Sequence, residues 1–149
     1  MNMRMLVLTL LASVAVSGCD TQTCTDAGCS HGATFRVAGT RDTSGGEWSV
    51  DLELDGELWS TTCRSDTAEC DPFEGPDTPL VLEALVSNEG EIWVSFTADD
   101  ADDLPTSYDI SVASGDLIGG EAMGEFDYDT VHPNGPDCTP SCEYVEIEI

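Results

Sequence analysis

Beyond its N-terminal segment the chain alternates apolar and polar residues with a period of two, and sustained helical periodicity is absent, which predicts strands throughout. The clearest segment is 47–54, where Trp48, Val50, Leu52 and Leu54 alternate with Ser49, Asp51 and Glu53. Such a strand buries one face. Asp55-Gly56 follows, the dipeptide preferred for a two-residue type I′ hairpin, so the next strand is 57–63. That turn fixes a register pairing Leu54 with Glu57, Leu52 with Trp59, Val50 with Thr61 and Trp48 with Cys63. Cross-strand partners share a face, so Trp59 and Cys63 join the apolar side.

The remaining alternating segments are 33–38 (with Phe35 and Val37), 80–86, 91–98, 107–113, 122–128 and 143–149. The last places Val145, Ile147 and Ile149 on one face. Ser87-Asn88-Glu89-Gly90 is a hairpin loop, and His132-Pro133-Asn134-Gly135-Pro136 is turn chemistry. Seven or eight short strands joined by Gly, Pro and Asp connections predict an all-β fold, a two-sheet antiparallel β-sandwich. A Trp opposite a cysteine, as Trp48 stands to Cys63, resembles immunoglobulin-like and transthyretin-like domains, and the resemblance implies an immunoglobulin-like sandwich.

The first residues have a different grammar. MNMRMLVLTLLASVAVSGCD opens with a basic segment around Arg4 and runs apolar from Met5 to Val16, which is signal-peptide anatomy. Roughly a dozen apolar residues are too few to span a hydrocarbon core about 30 Å thick. The stretch ends Val16-Ser17-Gly18-Cys19, which resembles the lipobox of bacterial lipoproteins. The resemblance implies lipidation of Cys19 by diacylglycerol, cleavage before it, and acylation (palmitate among the chains) of the new amino group. Two or more acyl chains anchor a protein stably to a membrane. The implied organisation is a lipoprotein signal peptide at 1–18, a lipidated cysteine with a polar tether at 19–32, and the β domain at 33–149. The implied location is the bacterial cell envelope, at the inner or outer membrane; Asp20 does not decide which.

With Cys19 assigned to lipid, six of the seven cysteines remain: Cys24, Cys29, Cys63, Cys70, Cys138 and Cys142. An even number in an exported chain reads as about three disulfides. Cys63 and Cys70 flank a short polar turn and are expected to pair. The other four form one couple ahead of the first strand and one ahead of the last, and crosswise pairing would tie the chain ends together. The rival reading is a zinc site from Cys24, Cys29, His31, Cys138 and Cys142, with His132 in reserve, although the spacings are not those of common zinc sites.

Charge narrows the partners. The chain carries 30 acidic residues against 4 basic ones, all arginine, for a formal net charge of −26. Such a surface repels nucleic acid and anionic head groups, and favours cations and basic partners. The expected partners are the membrane, through the lipid, and a cationic, protein or glycan partner, with no nucleic acid. Four acidic residues crowd one inter-strand loop, Asp99, Asp100, Asp102 and Asp103. They are candidate calcium ligands, although they lack the EF-hand spacing. No other cofactor is indicated.

Catalytic equipment is sparse: two histidines, no lysine, no G-x-S-x-G elbow and no H-E-x-x-H motif. The abundant carboxylates single out no hydrolytic pair. Trp93 and Tyr144 fall on the face opposite their strands' apolar neighbours; exposed together they would form a platform for a glycan or peptide, whereas covered they are ordinary packing. The sequence therefore leads to a membrane-anchored lipoprotein that is not an enzyme and carries an acidic display or interaction module. A calcium-dependent ligand- or glycan-binding lipoprotein is the alternative.

Overall fold

The computed structural model describes residues 28–40 and 46–149. The leader, Cys19, Asp20 and Cys24 lie outside the described residues. The described chain is all-β, with ten strands and two single-turn 3-10 segments. The strands are β1 (His31–Val37), β2 (Glu47–Leu54), β3 (Glu57–Arg64), β4 (Glu69–Cys70), β5 (Val81–Val86), β6 (Ile92–Ala98), β7 (Ser107–Ser114), β8 (Leu117–Glu125), β9 (Asp129–Val131) and β10 (Cys142–Glu148). Sheet A has the order β5-β6-β1-β10-β9, and sheet B has the order β4-β3-β2-β7-β8. Among the described residues no helix is long and apolar enough to cross a membrane.

Alternation becomes burial as expected in β2, where Trp48, Val50, Leu52 and Leu54 are buried and their neighbours exposed. Asp55 and Gly56 both take positive φ, 49° and 86°, the requirement of a type I′ turn. The β2–β3 register follows from that turn: Leu54 faces Glu57, Leu52 faces Trp59, Val50 faces Thr61 and Trp48 faces Cys63. Trp59 and Cys63 are buried accordingly.

Phe35, Val37, Val94 and Phe96 of sheet A and Val50, Leu52, Ile110 and Val112 of sheet B belong to one hydrophobic cluster. Each fully buried side chain of this size contributes about 1.5–3 kcal/mol. Aromatic rings join the sheets at one end: Phe35 meets Tyr108 edge-on at 5.2 Å, and Phe126 lies 5.4 Å from Phe96 and 5.1 Å from Tyr128. Val145, Ile147 and Ile149 pack against the same cluster.

Four expectations need correction. Ten strands replace seven or eight, because β4 and β9, of two and three residues, are too short to show alternation. The segment 122–128 is not one strand. β8 starts earlier, at Leu117, and ends at Glu125; the chain then crosses to sheet A as β9. Phe126 and Tyr128 stack on each other at this crossing, so their alternation reports a corner. The pairing is not wholly antiparallel either, since β1 and β10 run parallel. Finally, the first strand begins at His31 and ends at Val37, where 33–38 was expected.

The parallel pair has a covalent counterpart. Cys29 is bonded to Cys142, so the crosslink sits at the start of both β1 and β10, and both strands leave it in the same direction. This is the crosswise joining of the chain ends. It also overturns the zinc reading, because neither thiol is free to ligate. Cys63 is bonded to Cys70, across β3 and β4 of one sheet. Two disulfides thus join described cysteines where about three were expected; Cys138 is also disulfide-bonded.

Candidate functional site

The two outer sheet faces differ in chemistry. On sheet A, Arg36 of β1 is the cross-strand partner of Trp93 on β6. Its guanidinium lies 5.1 Å from the Trp93 ring centroid, a cation–π contact. Arg36 also donates to Glu146 at 3.1 Å, Glu148 at 3.2 Å and Glu91 at 3.4 Å. Hydrogen bonding to Glu146 raises the Arg36 pKa; desolvation opposes that rise and the charge of Glu91 adds to it. Glu91 is only 2% exposed. A buried carboxylate needs partners, and the Trp93 indole N–H supplies one at 2.8 Å.

This cluster decides the fate of the expected aromatic platform. Trp93 is half-buried beneath Arg36. Tyr144 is half-buried as well, its hydroxyl donating to Thr34 Oγ1 at 2.6 Å. Trp93 aligns with Arg36 and Tyr144 with Gly32, four positions apart along β1, or roughly 13 Å at about 3.3 Å per residue. β1 also lies between their strands. The two rings therefore form no common surface. Arg36 and Glu91 were not singled out from the sequence; the available signal was an arginine on the polar phase of a strand in a chain with only 4 basic residues.

Sheet B presents an open face. Its outward positions include Glu47, Asp51 and Glu53 on β2, Asp109 on β7 and Glu121 on β8. Ser49, Ser60, Thr62 and Ser111 stand between them. A shallow trough of about 320 Å³ runs over this face, lined by Ser49, Asp51, Ser60, Thr62, Asp71 and Glu74 among others. Arg64 is spoken for: it donates to both oxygens of Asp71 at 3.0 and 2.7 Å and lies 3.9 Å from Glu47. Hydrogen bonding to Arg64 lowers the Asp71 pKa against an opposing desolvation. Around these acids three apolar side chains are exposed, Leu58 at 54%, Ile118 at 67% and Met123 at 75%.

The acidic loop does not gather a ligand set. Asp100 spends its carboxylate as a helix cap, accepting from the Asp102 N–H at 3.1 Å at the start of the 3-10 turn Ala101–Asp103. Among the described residues no three His, Cys, Asp or Glu side chains come together in a way that could hold a metal ion, and this includes Asp99, Asp100, Asp102 and Asp103. His31 is occupied structurally, its Nδ1 accepting from the Glu143 N–H at 3.0 Å. The segment following Val131 is a turn as expected, with the Gly135 N–H donating to the His132 carbonyl at 3.1 Å.

The sheet B trough is lined mainly by hydroxyls and carboxylates. No family model, curated protein or solved structure matches this chain.

Proposed function

We propose that this chain is an exported bacterial lipoprotein, held at the inner or outer membrane of the cell envelope by acyl chains on Cys19. Its two sheets form an immunoglobulin-like sandwich that serves as a non-enzymatic display and interaction module. The observation that carries the reading is the outer face of sheet B, where Asp51, Glu53, Asp109 and Glu121 surround exposed Leu58, Ile118 and Met123 and the cation, Arg64, is committed to Asp71. An exposed apolar group within a single-sign field favours a partner of opposite charge. The lipobox residues and the disulfides Cys29–Cys142 and Cys63–Cys70 support an oxidising, exported setting.

The test is metabolic labelling with a palmitate analogue in a bacterial host, followed by envelope fractionation. The wild-type chain is expected to incorporate label and sediment with membranes, and Cys19→Ala to lose both. Equal labelling of the two, or none, overturns the anchor. For the module, cross-linking on intact cells is expected to trap a partner that Glu53→Lys/Asp109→Lys no longer captures; capture unchanged by these substitutions overturns the role of the face.

A further inference from the structure

The two sheets have four edge strands, and three of them are blunted. β4 and β9 are very short. β8 carries a register irregularity opposite Val112 and Ala113 and is met by the turn at Gly39, where a Cβ would collide with the Gly119 carbonyl. The fourth edge, β5, pairs with β6 in unbroken register from Val81 to Val86. Proteins usually protect such an edge with lysine, proline or a bulge; the only charge on β5 is Glu83.

The backbone orientation of β5 follows from its hairpin. The Ser87 N–H donates to the Glu91 carbonyl at 2.8 Å, so by antiparallel alternation Leu85, Glu83 and Val81 direct their backbone groups to β6. Leu82, Ala84 and Val86 direct theirs to the open side, where no described backbone group bonds to them. Two contiguous clefts of about 310 and 270 Å³ flank that side and share Pro72, Phe73 and Leu82. On the other side of the strand, Val81 and Leu85 are 59% and 48% exposed. Asp77 and Glu83 line the clefts, and Asp71, whose charge is met by Arg64, borders one of them.

We propose that β5 accepts an extended segment of a partner protein as an added strand, the segment alternating apolar with basic residues. The proposal rests on the interaction reading above and names its partner's chemistry. Strand addition takes affinity from main-chain hydrogen bonds and specificity from alternate side chains. One set of partner side chains enters the clefts beside Phe73 and Leu82, where apolar groups fit. The other set stands beside Glu83, where cations fit. A second copy of this chain is disfavoured because each copy carries a net charge of −26 and its own Glu83.

The experiment titrates the full-length oxidised protein into a fluorescent seven-residue peptide alternating lysine and valine. Two further peptides carry N-methyl groups on one or the other alternate set of amides. The unmodified peptide is expected to bind and to perturb the amide resonances of Leu82, Ala84 and Val86. One methylated peptide is expected to lose about tenfold or more in affinity and the other to bind nearly as well, because only one set of amides can face the edge. Ala84→Pro removes an outward N–H while sparing the β6 ladder, so it is expected to cause the same loss at an unchanged unfolding midpoint; should that variant fail to fold, the peptide comparison stands. No binding, equal binding of the two methylated peptides, perturbation centred on Asp51, Glu53 and Asp109, or self-association through β5 each overturns the proposal. None of these touches the acylation result at Cys19, so the two failures remain distinct.

Discussion

The carboxylate of Asp55, in the turn between β2 and β3, accepts hydrogen bonds from the Thr106 hydroxyl at 2.9 Å and N–H at 3.0 Å, 51 positions away. The Ser107 N–H and hydroxyl reach the same carboxylate at 2.9 and 3.1 Å. A residue selected for turn geometry thus also fastens the hairpin to the start of β7. The same charge acts on Tyr128, whose hydroxyl donates to the Pro105 carbonyl at 2.8 Å and whose pKa is raised by burial and by Asp55.

This latch makes stability depend on acid. Partial burial pushes the Asp55 carboxyl up, but the bonds from Ser107 and Thr106 outweigh it and hold its pKa below the usual carboxylate value. The folded pKa is therefore the lower one, so the stabilisation is present above the unfolded pKa of about 3.9 and is lost as pH falls through the folded value. Asp55→Asn, which tolerates the positive φ of the turn, is expected to cost about 1 kcal/mol at neutral pH, a charged hydrogen bond discounted for exposure. In urea unfolding the difference from wild type should shrink toward zero in strong acid; a gap independent of pH would refute the latch.

The two disulfides between described cysteines are expected to differ in their effect on stability. Cys29 and Cys142 are separated by 113 positions and Cys63 and Cys70 by 7. Loop-closure entropy assigns about 5 kcal/mol to the first and about 2 kcal/mol to the second. Urea midpoints of Cys29→Ala/Cys142→Ala and Cys63→Ala/Cys70→Ala, each in a Cys138→Ser background that removes the further bridge, should follow that order. A reversal would mean that the buried Cys63 contributes more through packing than through chain constraint.

The extent to which the fold is legible in the sequence follows from where its information is local. β2 and β3 could be read to the residue because Asp55-Gly56 sets both turn and register, and every pairing from Trp48–Cys63 to Leu54–Glu57 follows. β8 could not, because Gly119 and Gly120 interrupt its alternation for reasons that lie elsewhere: side chains added there would meet Trp48 and Thr40, or Ile149 and Val37. The parallel β1–β10 pair depends on residues more than a hundred positions apart. At the candidate surfaces the sign of the charge was readable, but the capping of Trp93 by Arg36 and the open edge of β5 exist only once strand order is known.

The turn at Gly39 is expected to tolerate no side chain. A Cβ there would overlap the backbone carbonyl of Gly119, and backbone cannot swing aside as a side chain can. Gly39→Ala should destabilise by about 1–3 kcal/mol, the usual range for overpacking. Gly56→Ala tests a different cause: nothing lies within 4 Å of its Cβ position, but φ is +86°, so its cost is conformational strain alone. Thermal unfolding of both variants separates collision from strain. Near-wild-type behaviour of Gly39→Ala would show that β8 can withdraw from the turn.

Calcium should act on this protein only as a screening ion. Asp100 is engaged as the cap of Ala101–Asp103, and Asp99, Asp102 and Asp103 do not converge with other described ligands. At a net charge of −26 any added salt relieves self-repulsion and raises the unfolding midpoint, and divalent ions screen strongly. The informative comparison is therefore calcium against magnesium at equal ionic strength, with a chelator baseline. The two curves are expected to superpose, and Asp100→Ala should lower the midpoint equally in both through loss of the cap. A calcium-specific rise that saturates with concentration would instead report binding to the folded state and would reinstate the acidic loop as a cation site.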